Sequence, residues 1–101
     1  MFSPSTNWHP TEELCGYIDN SGVSHQLINL AQDPKKSFSF DKNLIPDNAE
    51  ILWHSHPNNN CNLSVEDYLT FLKFPNHVHR IYGKTRYIEY YVRNNMVYQR
   101  E

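Results

Sequence analysis

Apolar and polar positions alternate in short runs through most of this chain, and one stretch carries a helical period. Leu14 to Asp19 reads as a strand, Asn20-Ser21-Gly22 has turn composition, and Ser24 to Leu30 reads as a second strand, which together predict a hairpin. From Ala31 to Asn48 the chain carries Asp33-Pro34, Pro46 and alternating Phe38 and Phe40, and is expected to be a connection with a short extended or helical piece. Ala49 to Ser55 is an apolar run that ends in polar chemistry, the form of a central strand that delivers side chains to the rim of a sheet. After a polar loop from Pro57 to Leu63, Ser64 opens a pattern with Val65, Tyr68, Leu69 and Leu72 at helical spacings, stopped near Pro75. His77 to Tyr82, Tyr87 to Val92 and Met96 to Arg100 then read as strands, the last two joined by an Asn94-Asn95 turn suited to positive φ. The pattern predicts an α/β fold: a single compact domain with a central mixed β-sheet and a flanking helix.

Composition narrows the class. A chain of 101 residues, 39% hydrophobic and 20% charged, describes one domain, because two cores would each be too small to stand alone. Residues 1–10 are expected to be loosely held, with 11–101 as the domain. Nine Lys and Arg against eleven Asp and Glu leave a formal charge of −2, too weak and too mixed to bind phosphate backbones, so no nucleic-acid partner is expected. Interleaved tyrosines and arginines from Tyr82 to Arg100 resemble an RNA-stacking sheet in composition, but tyrosine is a good strand former and ordinary strand packing accounts for them. No apolar run approaches the roughly 18 to 20 residues of a membrane helix, and the N-terminus lacks the basic start and apolar stretch of a signal peptide. The expectation is a cytoplasmic protein without a membrane partner. Cys15 and Cys61 are too few for a disulfide framework and are expected as free thiols.

Six histidines are the conspicuous feature, and their spacing gives them chemistry. Residues two apart on a strand face the same side, so His54 and His56 point together. A loop and one helical turn can return Asp67 to them. Two neutral imidazoles and a carboxylate make three protein ligands for a tetrahedral zinc and leave the fourth position for water, an arrangement that implies hydrolysis. Zinc lowers the pKa of its water from 15.7 to about 7, but a carboxylate must still carry the proton to the leaving group. Glu50 lies too far down the strand from His54, and Glu66 projects about 100 degrees from Asp67 on the helix. Glu12 and Glu13 remain, and spacing alone does not separate them. A second pair, His77 and His79, has Tyr90 rather than a carboxylate at the matching offset and reads as structural. Cys15 reads as a small buried residue beside Gly16, and Cys61, in the loop, is a candidate soft accessory ligand that a complete His₂Asp set does not require.

His54-Ser55-His56-Pro57 followed by Ser64-Val65-Glu66-Asp67, with Glu13-Leu14-Cys15-Gly16 upstream, resembles the motif of the JAMM (MPN-plus or JAB) zinc metallopeptidases. The resemblance selects Glu13 over Glu12. It implies a cytidine-deaminase-like JAB/MPN core, one zinc held by His54, His56 and Asp67, Glu13 as general acid/base, and Ser64 as the donor that stabilises the oxyanion. Ser64-x-x-Asp67 is at the same time the pattern of a helix cap. The implied reaction is hydrolysis of a peptide or isopeptide bond without a covalent enzyme intermediate. The implied partner is a protein or peptide, a ubiquitin-like or sulfur-carrier protein or a phage tail protein, since Glu-x-Cys-Gly is most similar to prokaryotic and phage members. The alternative is a non-catalytic zinc-containing binding or tail-assembly module of the same fold, against which the intact Glu13 weighs. Three features depart from the family: few residues precede Glu13, with Pro4 and Pro10 among them, where a helix is usual; Asn59 and Leu63 replace a common glycine and proline; and there is little room for the insertions that grip ubiquitin chains.

Overall fold

The computed structural model describes residues 11–57 and 61–100. The N-terminal decapeptide expected to be loosely held, and Asn59 of the polar loop, lie outside them. Among the described residues the strands are β1 (Cys15–Asp19), β2 (Ser24–Leu27), β3 (Ala49–Ser55), β4 (Val78–Tyr82), β5 (Tyr87–Arg93) and β6 (Met96–Arg100). The helix α1 spans Val65–Lys73, and a 3-10 turn spans Lys42–Leu44. The strands form one mixed sheet in the order β2-β1-β3-β4-β5-β6. Only β3 and β4 run parallel, and α1 lies in the crossover that a parallel pair requires.

The turns follow from local chemistry. Asp19 Oδ1 accepts from Ser21 N at 2.9 Å and from Val23 N at 3.0 Å, which closes the first hairpin around Gly22 at φ +83°. Asn94 and Asn95 both take positive φ, 53° and 61°, so the β5–β6 turn twists with its strands. The second strand ends at Leu27 rather than Leu30, because Leu30 N donates to Ser39 O at 2.7 Å and so leaves the β1 ladder.

By the period of two, Leu52 and His54 on β3, His79 and Ile81 on β4, and Tyr90 on β5 share the sheet face on which α1 packs. Phe71 of α1 is 1% exposed and joins Cys61, Ile81 and Tyr90 in the core, with Leu63, Ile88, Val92 and Val97 packed against it. Phe38 and Phe40 cover the same face beside the helix, Phe40 meeting Phe74 at 5.4 Å between centroids.

The structure corrects two expectations. Among the described residues the domain is dominated by its six-stranded mixed sheet, with a single nine-residue helix, and is not the α/β, helix-flanked JAB/MPN core. The physical reason lies in the stretch from Ala31 to Asn48, where Asp33-Pro34 and Pro46 interrupt the chain; it covers the sheet with Phe38 and Phe40 on irregular backbone instead of a second long helix. The buried face of α1 also differs: Val65 and Leu69 are 77% and 53% exposed, while Asp67 and Phe71, one turn apart, are buried. Phe71 fills the core, and in doing so turns Asp67 toward β3.

Candidate metal centre

The antiparallel register of β1 on β3 pairs Cys15 with His54. Two residues beyond on each chain stand Glu13 and His56, so period two aligns Glu13 with both histidines. Ser55 secures that extension: its N–H donates to Leu14 O at 2.8 Å, and its Oγ accepts from Leu14 N at 2.8 Å. His56 N donates to Tyr82 O at 2.9 Å, which holds the second histidine against β4. Gly16 makes the close approach possible, since a Cβ there would overlap His25 O and lie 2.6 Å from the Trp53 ring.

The helix supplies the remaining carboxylate. Ser64 caps α1, its Oγ accepting from Asp67 N at 3.1 Å while Asp67 Oδ2 accepts from Ser64 N at 3.3 Å. This capping box draws the Asp67 carboxylate back toward β3, where Oδ1 lies 3.0 Å from His54 Nε2 and Oδ2 lies 3.1 Å from His56 Nε2. Glu13, His54 and His56 each offer one ligand atom, all within 4.8 Å of one another, and this group could hold a metal ion. The residues singled out from sequence, Glu13, His54, His56, Ser64 and Asp67, thus lie at one end of β3.

Whether the donor set fits a cation can be tested on His54. Its Nε2 is buried and faces Asp67 Oδ1 at 3.0 Å. Where Nε2 carries the lone pair, a cation between the two atoms removes their repulsion. The separations of 3.0 and 3.1 Å are also close to the edge of about 3.3 Å in a tetrahedron built on Zn–N and Zn–O bonds of about 2.0–2.1 Å. The donor set fits a metal ion.

Electrostatics act in the same sense. Burial lowers the His54 pKa, against the raising influence of Asp67, and favours the neutral imidazole a metal needs. Burial raises the Asp67 carboxyl, but the contacts and charges of His54 and His56 outweigh it and hold the group well below the usual carboxylate range. Burial pushes Glu13 up to about 7; His56 opposes the shift, and the negative charges of Asp67 and Glu66 add to it. That value suits a group that must both take and give a proton near neutral pH.

Glu13, His56 and Ser64 line a cleft of about 430 Å³ together with Lys35, Lys36, Pro57, Asn62 and Leu63. Three supports escape the sequence reading. Phe38 stacks on His54 with centroids 4.0 Å apart and planes 18° apart. Ser55 holds the Glu13 segment as described, and Asn29 Nδ2 donates to Glu13 O at 2.7 Å. The alternation of Phe38 and Phe40 was a signal for the first; nothing in the sequence marks the other two.

The other titratable candidates lie elsewhere. His79 stacks on Phe71 at 4.2 Å and meets Phe74 O through Nε2 at 2.8 Å. Cys15 and Cys61 are free and buried; burial, with the Glu13 charge added, raises the Cys15 thiol to about 11. Cys61 Sγ points toward Arg86 O at 3.7 Å, inside the core rather than toward the histidines. Arg80 is paired with Glu89 at 2.7 Å on the sheet. No helix among the described residues is long and apolar enough to cross a membrane.

The fold is similar to the solution structure of protein DSY2949 from Desulfitobacterium hafniense, with a TM-score of 0.67 and 20% sequence identity over 92% of this chain and 78% of that chain. At that identity the likeness bears on the fold alone. No family model matches the chain, and no curated protein matches it.

Proposed function

We propose that this chain is a zinc-dependent hydrolase of a peptide or isopeptide bond, similar in its chemistry to the JAMM metallopeptidases whose motif its residues resemble. The observation that carries the reading is the meeting of His54, His56, Asp67 and Glu13 at the end of one strand, with the His54 ring nitrogen buried against the Asp67 carboxylate. The reading rests on the site and takes nothing from the fold. His54, His56 and Asp67 would hold the ion, which supplies a Lewis acid and lowers the pKa of a bound water from 15.7 to about 7.

The chain's own groups handle the protons. Glu13 takes a proton from the attacking water as oxygen bonds to the carbonyl carbon, then delivers it to the amine nitrogen as the C–N bond breaks, leaving a carboxylate and an amine. Ser64 Oγ accepts from Asp67 N, so its own proton is left to donate to the carbonyl oxygen as negative charge builds there. The substrate would be a protein or peptide, with ubiquitin-like and phage tail proteins as the classes to try first.

Metal analysis of the purified protein after zinc loading should give close to one zinc per chain, and His56→Ala should lose it. Glu13→Gln should keep the zinc and abolish cleavage across a panel of peptide- and isopeptide-linked fluorogenic substrates. A wild-type protein that takes up no zinc overturns the proposal. Zinc uptake without turnover of any substrate favours the non-catalytic binding module.

A further inference from the structure

The cleft carries a second chemistry besides that of metal and proton. Lys35 and Lys36 are exposed, line the same cleft as Glu13, His56 and Ser64, and are the only Lys or Arg side chains among its described lining residues. Neither takes part in an ion pair among the described residues. Glu13, which shares the cleft with them, is buried, and Asp67 and Glu66 are near enough to act on its carboxyl.

An exposed lysine is ordinarily a solvated charge on a drifting loop. Here the turn is tied at both ends to the Glu13 backbone. Pro34 O accepts from Glu13 N at 2.6 Å, and Asn29 Nδ2 donates to Glu13 O at 2.7 Å and to Ser37 O at 3.0 Å. Asn29 Oδ1 accepts in turn from Ala31 N at 3.0 Å and Ser39 N at 3.1 Å, so the amide uses all four of its hydrogen-bonding positions. Lys36 N and Ser37 N both donate to Asp33 O at 3.1 Å and close the turn. The backbone that carries the two ammonium groups is therefore set against the Glu13 backbone by hydrogen bonds.

We infer that Lys35 and Lys36 form an anion subsite, and that the substrate carries a carboxylate beside the bond that is cut. The inference rests on the hydrolase reading for the bond and on the lysine turn alone for the anion. Two ammonium groups on one wall of the cleft attract a carboxylate to that wall. Lysine ammonium groups read charge rather than shape, so an acidic side chain or a free C-terminus meets the same requirement.

The test is an amide chemical-shift titration with three N-acetylated tripeptides: one with a central glutamate and an amidated C-terminus, one of alanines with a free C-terminal carboxylate, and one of alanines amidated. Each is added to zinc-loaded Glu13→Gln protein and to zinc-free wild type. At low salt an acidic probe should bind about fivefold tighter than the neutral one, the sum of two modest surface attractions, with shifts at residues 35–37. Comparing the first two probes shows whether side chain or terminus is read. The advantage should vanish in the Lys35→Gln/Lys36→Gln double variant, whose exposed positions leave the fold intact, and should shrink as salt shortens the Debye length. Equal affinities, no saturable shift, or an advantage that survives in the double variant overturns the subsite. A lysine-dependent preference in a protein that binds no zinc upholds the subsite and sinks the hydrolase; zinc-dependent cleavage with no lysine-dependent preference does the reverse.

Discussion

Glu13 is 6% exposed, and burial, offset in part by His56, pushes its carboxyl from the ordinary 4.5 to about 7. A carboxyl raised in the folded state stabilises the fold fully below the unfolded value and loses that contribution as pH rises through the folded one. The difference between 4.5 and about 7, at about 1.4 kcal/mol per unit, comes to about 3 kcal/mol. This is a large share of a typical domain stability of about 5–15 kcal/mol. Glu13→Gln keeps the shape and removes the titration, so the metal-free variant should gain on wild type by about 3 kcal/mol between pH 4.5 and pH 8. Urea unfolding of both proteins in chelator, across that range, gives the difference directly and cancels titrations the two share. Zinc should then narrow the gap at high pH, because a cation beside an ionised Glu13 relieves the wild type and does little for the amide. Parallel stability curves for the two proteins would refute the reasoning, since Glu13 would then ionise in the fold as it does in the unfolded chain.

Gly16→Ala should lower stability by at least about 3 kcal/mol in thermal unfolding, because the added Cβ meets the immobile His25 carbonyl and the buried Trp53 ring; an unchanged Tm refutes the close approach. Ser64→Ala should cost about 1 kcal/mol through the lost cap, leave zinc content unchanged, and lower turnover by about 10²–10³ on any substrate the wild type cleaves, so that a purely structural serine is recognised by intact turnover. Burial lowers His79 to about 4 against the raising effect of its bond to Phe74 O, so its folded pKa lies below the unfolded one and stability falls as pH drops from 6.5 toward 4. His79→Phe should be less stable at pH 7, having lost that bond, yet flatter between pH 6.5 and 4; a slope equal to wild type counts against a buried neutral histidine.

Elements with a strong local pattern were legible in the chain. Ala49–Ser55 and Met96–Arg100 form strands with the boundaries their residues predict, and the helix begins at its Ser64 cap. The buried face of that helix was not legible. Val65, Leu69 and Leu72 fit an apolar stripe as well as Phe71 does, and the decision came from which side chain filled the space against Ile81 and Tyr90. The stretch from Ala31 to Asn48 was equally closed to reading, because its hydrogen bonds run to Asn29 and Glu13, partners that no period reveals.

By itself the sequence determined the donors that lie close along the chain: His54 and His56 two apart on a strand, and Ser64 and Asp67 three apart at a helix start, where local geometry leaves little choice. Spacing left Glu12 and Glu13 open and the motif resemblance selected Glu13; the tertiary structure shows why it is Glu13 that reaches the histidines. The choice depends on Cys15 pairing with His54 across an antiparallel register, and a slip of one residue would turn the other side chain inward. The tertiary structure alone built a sheet-dominated domain, with one short helix among the described residues, and set Lys35 and Lys36 on the same cleft as Glu13 through bonds between segments far apart in the chain. Local spacing fixes which atoms can act together along one element, whereas pairing between elements is settled by packing and hydrogen bonding over the whole domain.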